Sequence, residues 1–469
     1  MHRSIQDAGR VRDHAVGGRR AVGTAAHPRG CCPDAPRAAL NAEQHPGRAL
    51  RLTGSRLAVG AIALALGLVV ALHAAGAQAK DTLVRKDTLL RKDTIARKDT
   101  IALPRSDTAR APIRLCAGGD VTLGTNLDTL WAKTAARRLR ADYQLSDAPD
   151  ALLAPLKPLF EGADIVLVNV EGAIGDGFAP RKCGKKALNC FAFRQPAAAA
   201  AAIRRLADSA TVVGNVANNH ARDAGDDGFL VSLSYLTRAG VLVTGADTIA
   251  TPIVTRRGDT IAVLGFYTSS DSPDARDLNA VRRHVTRAVE RWHTVVVTMH
   301  LGAEGAGAQR TRDSTELFLG TIDRGNPVAF ANAALESGAT LVIGHGPHVI
   351  RAAEWRDDRL VLYSLGNLLT YGPFRLAEPM NRGVVACAEI DSARHVRAAW
   401  LRPTMQLAPG VLRPDSSSRA VTLVDSLSGL DFPSTGVLVG PDGVLRRRVA
   451  VDSVPPPPVP IRPRGHRRQ

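Results

Sequence analysis

Cysteine is scarce and poorly placed for a scaffold built on cross-links: six occur in 469 residues, and no CxxC pair is among them. That excludes the usual zinc-finger and thioredoxin readings. Cys31 and Cys32 lie upstream of an apolar, export-type run, while Cys116 and Cys387 sit in apolar, strand-like stretches, where the simplest expectation is a buried hydrophobe. Cys183 and Cys190 bracket a short polar loop, CGKKALNC. In an oxidising compartment that spacing allows either a small disulfide ring or two free thiols. Basic charge is likewise missing where a nucleic-acid groove would need it. Of the formal +17, nearly all sits in the flanks: residues 1–110 carry 19 Lys/Arg against 9 Asp/Glu, residues 446–469 carry 7 against 1, and the body between them carries 35 against 34. A neutral body with basic ends implies solvated or membrane-facing tails, and no nucleic-acid partner is expected.

The flanks read as a series of segments. Residues 1–56 have no periodicity and no credible core, and the true start codon is expected nearer Arg51. From Leu57 to Ala75 the chain is almost continuously apolar, with Arg51 and Arg56 before it and Ala77-Gln78-Ala79 after it. A basic flank, an apolar core and an AxA site describe a signal peptide over 57–79, cleaved after Ala79; a membrane anchor through residues 57–75 is the other reading of the same run. Either places the rest of the chain outside the cytoplasm, in the periplasm or at the cell surface. A hexad repeat comes next (KDTLVR, KDTLLR, KDTIAR, KDTIAL) within residues 80–112. Six is neither a helix-seam period nor a solenoid unit, so this is a charged linker. Residues 454–469, opening VPPPPVPIRPR, cannot join a sheet interior and form a Pro/Arg-rich disordered tail.

Between the flanks, residues 113–430 alternate β-branched runs with helical stretches, and 431–453 extend that domain. Strands are expected at 113–118, 164–169, 211–216, 261–266, 294–299, 340–343, 360–363 and 384–390, and helices at 196–207, 228–239 and 327–337. Continuous apolar strands separated by helices imply an α/β layered fold with a sheet covered on both faces. The residues just past the strands carry the chemistry. The first strand ends in Gly119-Asp120, the second in Asn169-Val170-Glu171, and the third runs into Asn218-Asn219-His220; the fifth ends in His300, and the sixth runs into Gly344-His345-Gly346-Pro347-His348. Alone, each has a plain explanation: Asp120 as a cap, Asn219 as a turn residue, His300 as a hydrogen-bonded core histidine. Together they are harder to dismiss, because four of the eight histidines beyond Lys80 fall on these strand ends. Open α/β sheets build ligand sites at the carboxyl ends of their strands. Oxygen and imidazole donors without thiolate suit zinc, manganese or iron. A carboxylate bridging two such ions would make a hydrolytic centre.

These blocks, GDVTLG from Gly119, NVEGAI from Asn169, ANNHARDAGDDG from Ala217, HLGAEG from His300, GHGPHVI from Gly344 and YSLGNLL from Tyr363, together resemble the capsule-synthesis (CapA-type) branch of the calcineurin-like metallophosphoesterases. The resemblance implies a four-layer α/β/β/α sandwich and a site for two divalent transition-metal ions. It assigns Asp120, Glu171, Asn219, His300, His345 and His348 as metal ligands, with Glu171 bridging, and His220 as the acid that protonates a leaving group. One departure stands out. The phosphoesterase pattern has a histidine two residues after the first aspartate, where this chain has Thr122, so one ion site is short of a ligand. Lys182, Lys185, Lys186 and Arg194 form a cationic cluster that in isolation is ordinary solvated surface, and in this context is a candidate guide for an anionic polymer. Ser364 and Asn367 are expected to support the metal site or to pack a tight turn, and Ser364 lacks a GxSxG setting, which removes a serine-hydrolase reading. With the export-type run at 57–79, the resemblance thus implies an exported, metal-dependent hydrolase-like protein of phosphoesterase or γ-glutamyl amide type. Its expected role is in synthesis, release or processing of an anionic cell-surface polymer such as poly-γ-glutamate. The competing expectation is a non-catalytic assembly or export factor that binds the polymer or a membrane synthase partner.

Overall fold

The computed structural model describes residues 111–448, apart from 126, 177–181, 184–189 and 272. The N-terminal stretch, the signal or anchor segment, the hexad linker up to residue 110 and the Pro/Arg tail lie outside the described residues. Among those described, no helix is long and apolar enough to cross a membrane.

The apolar runs form strands buried on both faces. β1 (Ile113–Leu123), β2 (Ile165–Val170), β3 (Thr211–Asn215) and β4 (Leu242–Thr244) lie parallel in a first sheet. The chain then builds a second, six-stranded sheet from β5 (Thr251–Val254), β6 (Thr260–Tyr267), β7 (Thr294–His300), β8 (Leu341–His345), β9 (Ala353–Arg356) and β10 (Arg359–Leu362), in the order β9-β10-β8-β7-β6-β5. It returns to the first sheet with β11 (Asn367–Tyr371), β12 (Arg382–Ile390), β13 (Val396–Leu407) and β14 (Val411–Pro414). That sheet has eight strands in the order β14-β13-β12-β1-β2-β3-β4, with β11 also parallel to β1.

Side-chain alternation along these strands sorts the core into three layers of contact, and this is what makes the fold four-layered. Leu115, Ala117, Ile165 and Leu167 of the first sheet meet Ile261, Val263, Val296 and Ile343 of the second. The alternate residues Cys116, Val166, Val168 and Val212 face helices α1 (Thr129–Tyr143), α2 (Pro149–Leu153), α3 (Ala198–Arg204) and α4 (Gly225–Arg238). On the far side, Leu264, Val295, Val297 and Val342 pack on α5 (Leu278–Arg291) and α6 (Pro327–Glu336). The result is the expected α/β/β/α sandwich. A final helix, α7 (Arg419–Asp431), places Ala420, Val421 and Val424 in the layer between the sheets. Caps fix the entries of several helices: Asp128 accepts from Trp131 N, Asp277 from Ala280 N, and Asn326 from Val328 N and Ala329 N ahead of Pro327.

Two expectations change. β1, expected to end at Gly118, continues to Leu123, because the backbone at Gly118-Gly119 breaks register with β2 and lets the strand pass against Gly366 and then pair with β11. A Cβ at Gly119 would lie 1.8 Å from Gly366 O, so only glycine permits that crossing. Cys116 and Cys387, expected as separate buried hydrophobes, stand opposite each other in the antiparallel β1–β12 register and are joined by a disulfide, with Cα atoms 4.0 Å apart. Their separation of 271 residues hid the pairing. Cys183 and Cys190 also form a disulfide.

Candidate metal centre

Strand register gathers the chemistry. In the first sheet Asp120 pairs with Asn169 and with Asn367, and Asn169 with Asn215; in the second, His300 pairs with His345. Glu171 comes directly after β2, its N–H bonded to Val121 O at 3.0 Å. His348 is carried by the turn after β8 in left-handed backbone (φ 59). Such backbone in a residue with a Cβ is uncommon and clusters at functional sites. Gly346 (φ 108) leaves room for the His300 ring, since a Cβ there would come within 3.0 Å of His300 Cδ2.

Five of the expected ligands converge. His348 Nδ1 is 3.2 Å from Asp120 Oδ2 and 3.7 Å from Glu171 Oε2. His300 Nε2 is 3.8 Å from Glu171 Oε1, and His345 Nδ1 is 3.9 Å from Asp120 Oδ1. All five are buried. The two Glu171 oxygens therefore face different histidines, as a bridging carboxylate requires. Asp120, Glu171 and His348 by themselves present ligand atoms within 4.8 Å of one another, a group that could hold a metal ion.

The test of fit is the set of polar atoms that the protein leaves without hydrogen bonds. Asp120 Oδ2, Glu171 Oε1, His300 Nε2, both nitrogens of His345 and Asn219 Oδ1 are buried and have no hydrogen-bond partner. An isolated orphan of this kind costs roughly 1–3 kcal/mol. That the first five of these atoms belong to the converging side chains fits a cation whose coordination satisfies them, and the oxygen and nitrogen donor set suits a divalent transition metal. The charges are strongly coupled. Burial raises the Glu171 carboxyl, and the neighbouring Asp120 pushes it further, well above the ordinary range. For Asp120 burial acts upward too, but the His348 imidazole, 3.2 Å from Oδ2, outweighs it and holds the group low. Burial pushes His300 well below its usual value and His345 down to about 4, so both are neutral ligand-type imidazoles at neutral pH.

Beside this cluster lies a second unit. His220 Nδ1 is 2.7 Å from Asp223 Oδ2, and Asp223 is wholly buried, also accepting from Phe193 N at 2.7 Å and Lys182 Nζ at 2.9 Å. Burial lowers the His220 pKa, with Asp223 opposing. Phe193 packs on the His220 ring and on Phe374, which in turn meets His348. An amide chain connects the two units: His220 N donates to Asn218 Oδ1, Asn218 Nδ2 and Asn215 Nδ2 donate to Asn169 Oδ1, and Asn169 Nδ2 donates to Asp120 Oδ1 at 2.8 Å.

Of the expected cationic cluster, Lys182 reaches the second unit, bonding Asn219 O as well as Asp223. Arg194 lies in a two-residue strand paired with Ala173–Ile174. Lys185 and Lys186 fall outside the described residues. Asn367 Oδ1 lies 3.0 Å from His348 Nδ1, whereas the Ser364 hydroxyl accepts from Gly366 N, a turn-packing role. The Thr122 hydroxyl donates to Glu171 O. Residues given no role from sequence include Asp223, for which the three-residue spacing from His220 was an available signal, Glu304, which lies inside the quoted HLGAEG block, and Arg324, for which no local pattern existed.

Fold and site define an α/β/β/α domain with a carboxylate–imidazole centre of metal-binding type. The chain belongs to the family described as "Bacterial capsule synthesis protein PGA_cap", which matches residues 114–371. It is 24% identical over 236 residues to the PGA biosynthesis protein CapA of Bacillus subtilis (strain 168), covering 47% of this chain and 57% of that protein. It is 23% identical over 186 residues to the capsule biosynthesis protein CapA of Bacillus anthracis, covering 36% of this chain and 42% of that protein. The chain thus spans about half the length of the curated relatives it matches. Among solved structures, a 5'-nucleotidase precursor from Thermus thermophilus aligns at TM-score 0.33 and 12% identity, over 69% of this chain and 59% of that one.

Proposed function

We propose that this protein is an exported, metal-dependent hydrolase-like member of its family, acting on an anionic cell-surface polymer of the poly-γ-glutamate or capsule type during synthesis, release or processing. The observation that carries the reading is the convergence of orphaned, buried donors from both sheets beside a histidine–aspartate pair. Asp120, Glu171 and His348 would hold one divalent ion, and Glu171, Asn219, His300 and His345 a second, with manganese, zinc or iron as candidates. A divalent ion bound there supplies Lewis-acid polarisation and water activation. The protein's own groups do the rest. Asp223 fixes the His220 ring through Nδ1 and opposes the effect of burial, so that His220 can deliver a proton to a departing amine or alkoxide. Phe193 and Phe374 cover the flank between His220 and His348 and limit water there. Lys182, tied to Asp223 and Asn219 O, places a cation next to the path of an anionic substrate. Two disulfides within the domain favour an oxidising compartment and so support export.

A second reading, a non-catalytic factor that binds polymer or a membrane synthase, is favoured by Thr122, which offers no imidazole and leaves the Asp120 side one ligand short. The deciding experiment is elemental analysis of the purified protein, followed by turnover assays on phosphoester and γ-glutamyl amide substrates. Bound metal with turnover supports the hydrolase; bound metal with inertness towards both favours the assembly factor; no metal under any loading condition defeats the metal-centre reading.

A further inference from the structure

We propose that Glu304 is a positioning residue that turns the Asn219 side-chain amide so that its oxygen, not its nitrogen, faces the metal-binding side chains. The inference rests on reading the cluster as a metal centre. An asparagine amide has two ends of similar shape and opposite chemistry: the oxygen can ligate a cation, and the NH2 repels one. Nothing in Asn219 itself chooses between them. Glu304 chooses, because Asn219 Nδ2 donates to Glu304 Oε1 at 3.3 Å, and a carboxylate oxygen accepts only from the NH2 end. The other end, Asn219 Oδ1, is left buried without a partner.

Glu304 is suited to the task because it is held on every side. Arg324 Nη2 donates to the same Oε1, and Arg324 Nη1 donates to Tyr267 OH at 3.1 Å. The Arg324 side chain is 5% exposed and that of Glu304 is 10% exposed, so the pair is a nearly dry, charge-balanced unit rather than a solvated acid. The backbone around Glu304 is fixed by the same loops that carry the histidines: Leu301 N bonds His345 O, Gly302 N bonds Arg324 O, and Gly305 N bonds Pro347 O at 3.1 Å. Tyr267, Arg324, Glu304 and Asn219 therefore form a chain of contacts from the second sheet to the segment that carries His220. Glu304 lies outside the Asp120–Glu171–His348 group that could hold an ion, and its charge is answered by Arg324. It is assigned no direct contact with an ion.

Calorimetric titration of the full chain with Mn2+ tests the assignment, and it reads binding rather than turnover. Glu304→Leu removes the acceptor and is expected to weaken Mn2+ binding about 10- to 100-fold, the range for loss of a group that orients a ligand. Glu304→Gln keeps an oxygen acceptor and is expected to recover most of that affinity. The decisive arm is the Asn219→Asp background, where both side-chain ends are oxygen and no orientation is needed: there Glu304→Leu should cost nothing or improve binding by removing a like charge. An equal loss in both backgrounds would mean that the loop has merely collapsed, and overturns the proposal. So would unchanged affinity in Glu304→Leu while the parent chain binds Mn2+. A parent chain that binds no Mn2+ at all overturns the metal-centre reading together with this inference.

Discussion

Replacing Arg351 with methionine removes one guanidinium and keeps the apolar stem, and its consequence can be worked from the contacts. Arg351 is 1% exposed. Its Nε donates to Ala308 O at 2.7 Å, Nη1 to Glu316 Oε1 at 2.8 Å, and Nη2 to Glu316 Oε2 at 2.6 Å and Ala303 O at 3.3 Å. Glu316, 12% exposed at its side chain, also accepts from Ala303 N, so this pair pins the 301–325 loop that carries Glu304 and Arg324 beneath the centre. The variant would leave a carboxylate with one donor in a nearly dry site. Removing one partner of a buried ion pair costs about 3–5 kcal/mol. For a domain of about 340 residues, with an unfolding entropy near 2.1 cal/mol/K per residue, that is a drop in Tm of about 4–7 °C. Thermal unfolding followed by circular dichroism, with urea midpoints as a second measure, reads it directly. The double variant Arg351→Met/Glu316→Leu should recover most of the loss, because apolar replacement of both partners avoids the stranded charge. A single variant within about 1 kcal/mol of the parent, or a double variant worse than the single, would refute the reasoning.

Four further outcomes are expected. His220→Ala should lower turnover on a cleavable phosphoester or γ-glutamyl substrate by about 10²- to 10⁴-fold while elemental analysis shows unchanged metal content; full activity would remove His220 from the chemistry. Mn2+ or Zn2+ at about 100 times its Kd should stabilise the fold by about 2.7 kcal/mol, or about 4 °C in Tm, and a chelator should reverse this in the same melt. Gly119→Ala forces a Cβ to 1.8 Å from Gly366 O and should abolish soluble expression, whereas Gly307→Ala, with nothing within 4 Å, should express normally. Asp415 is a pH-sensitive group outside the centre: burial acts upward, but the Ser417 hydroxyl, the Ala420 N–H and the Arg382 guanidinium outweigh it and lower its pKa. A depressed carboxylate contributes stability that is present above its unfolded pKa, near 3.9, and is lost as pH falls through the lower folded value. Asp415→Asn should therefore be clearly less stable than the parent at pH 7 by urea denaturation, with the gap narrowing as pH falls below the unfolded pKa; a gap constant with pH would contradict the assignment.

How much of this was legible in the sequence differs between fold and site. The β-branched runs at Ile165–Val170, Thr260–Tyr267 and Thr294–His300 declare themselves because strands buried on both faces must be apolar without interruption. The edge strands β5 and β9 and the charged helix α5 were not foreseen, since half-exposed elements are specified by neighbours as much as by their own residues. In the site, Asp120, Glu171, His300, His345 and His348 were marked by their place at strand ends, a local property that chain order preserves.

What tertiary structure alone decided is which atoms of those residues meet. Sequence could name Cys116 and Cys387 but not that antiparallel register sets them face to face across 271 residues. It could name Asn219 but not the end that faces the centre, because that depends on Glu304 and on Arg324, which arrives through a different loop. Hydrogen bonds and metal ligation act over about 3 Å, and contacts at that range between residues far apart in the chain are set by strand register and by how two sheets pack. Periodicity records only which face of its own element a side chain occupies.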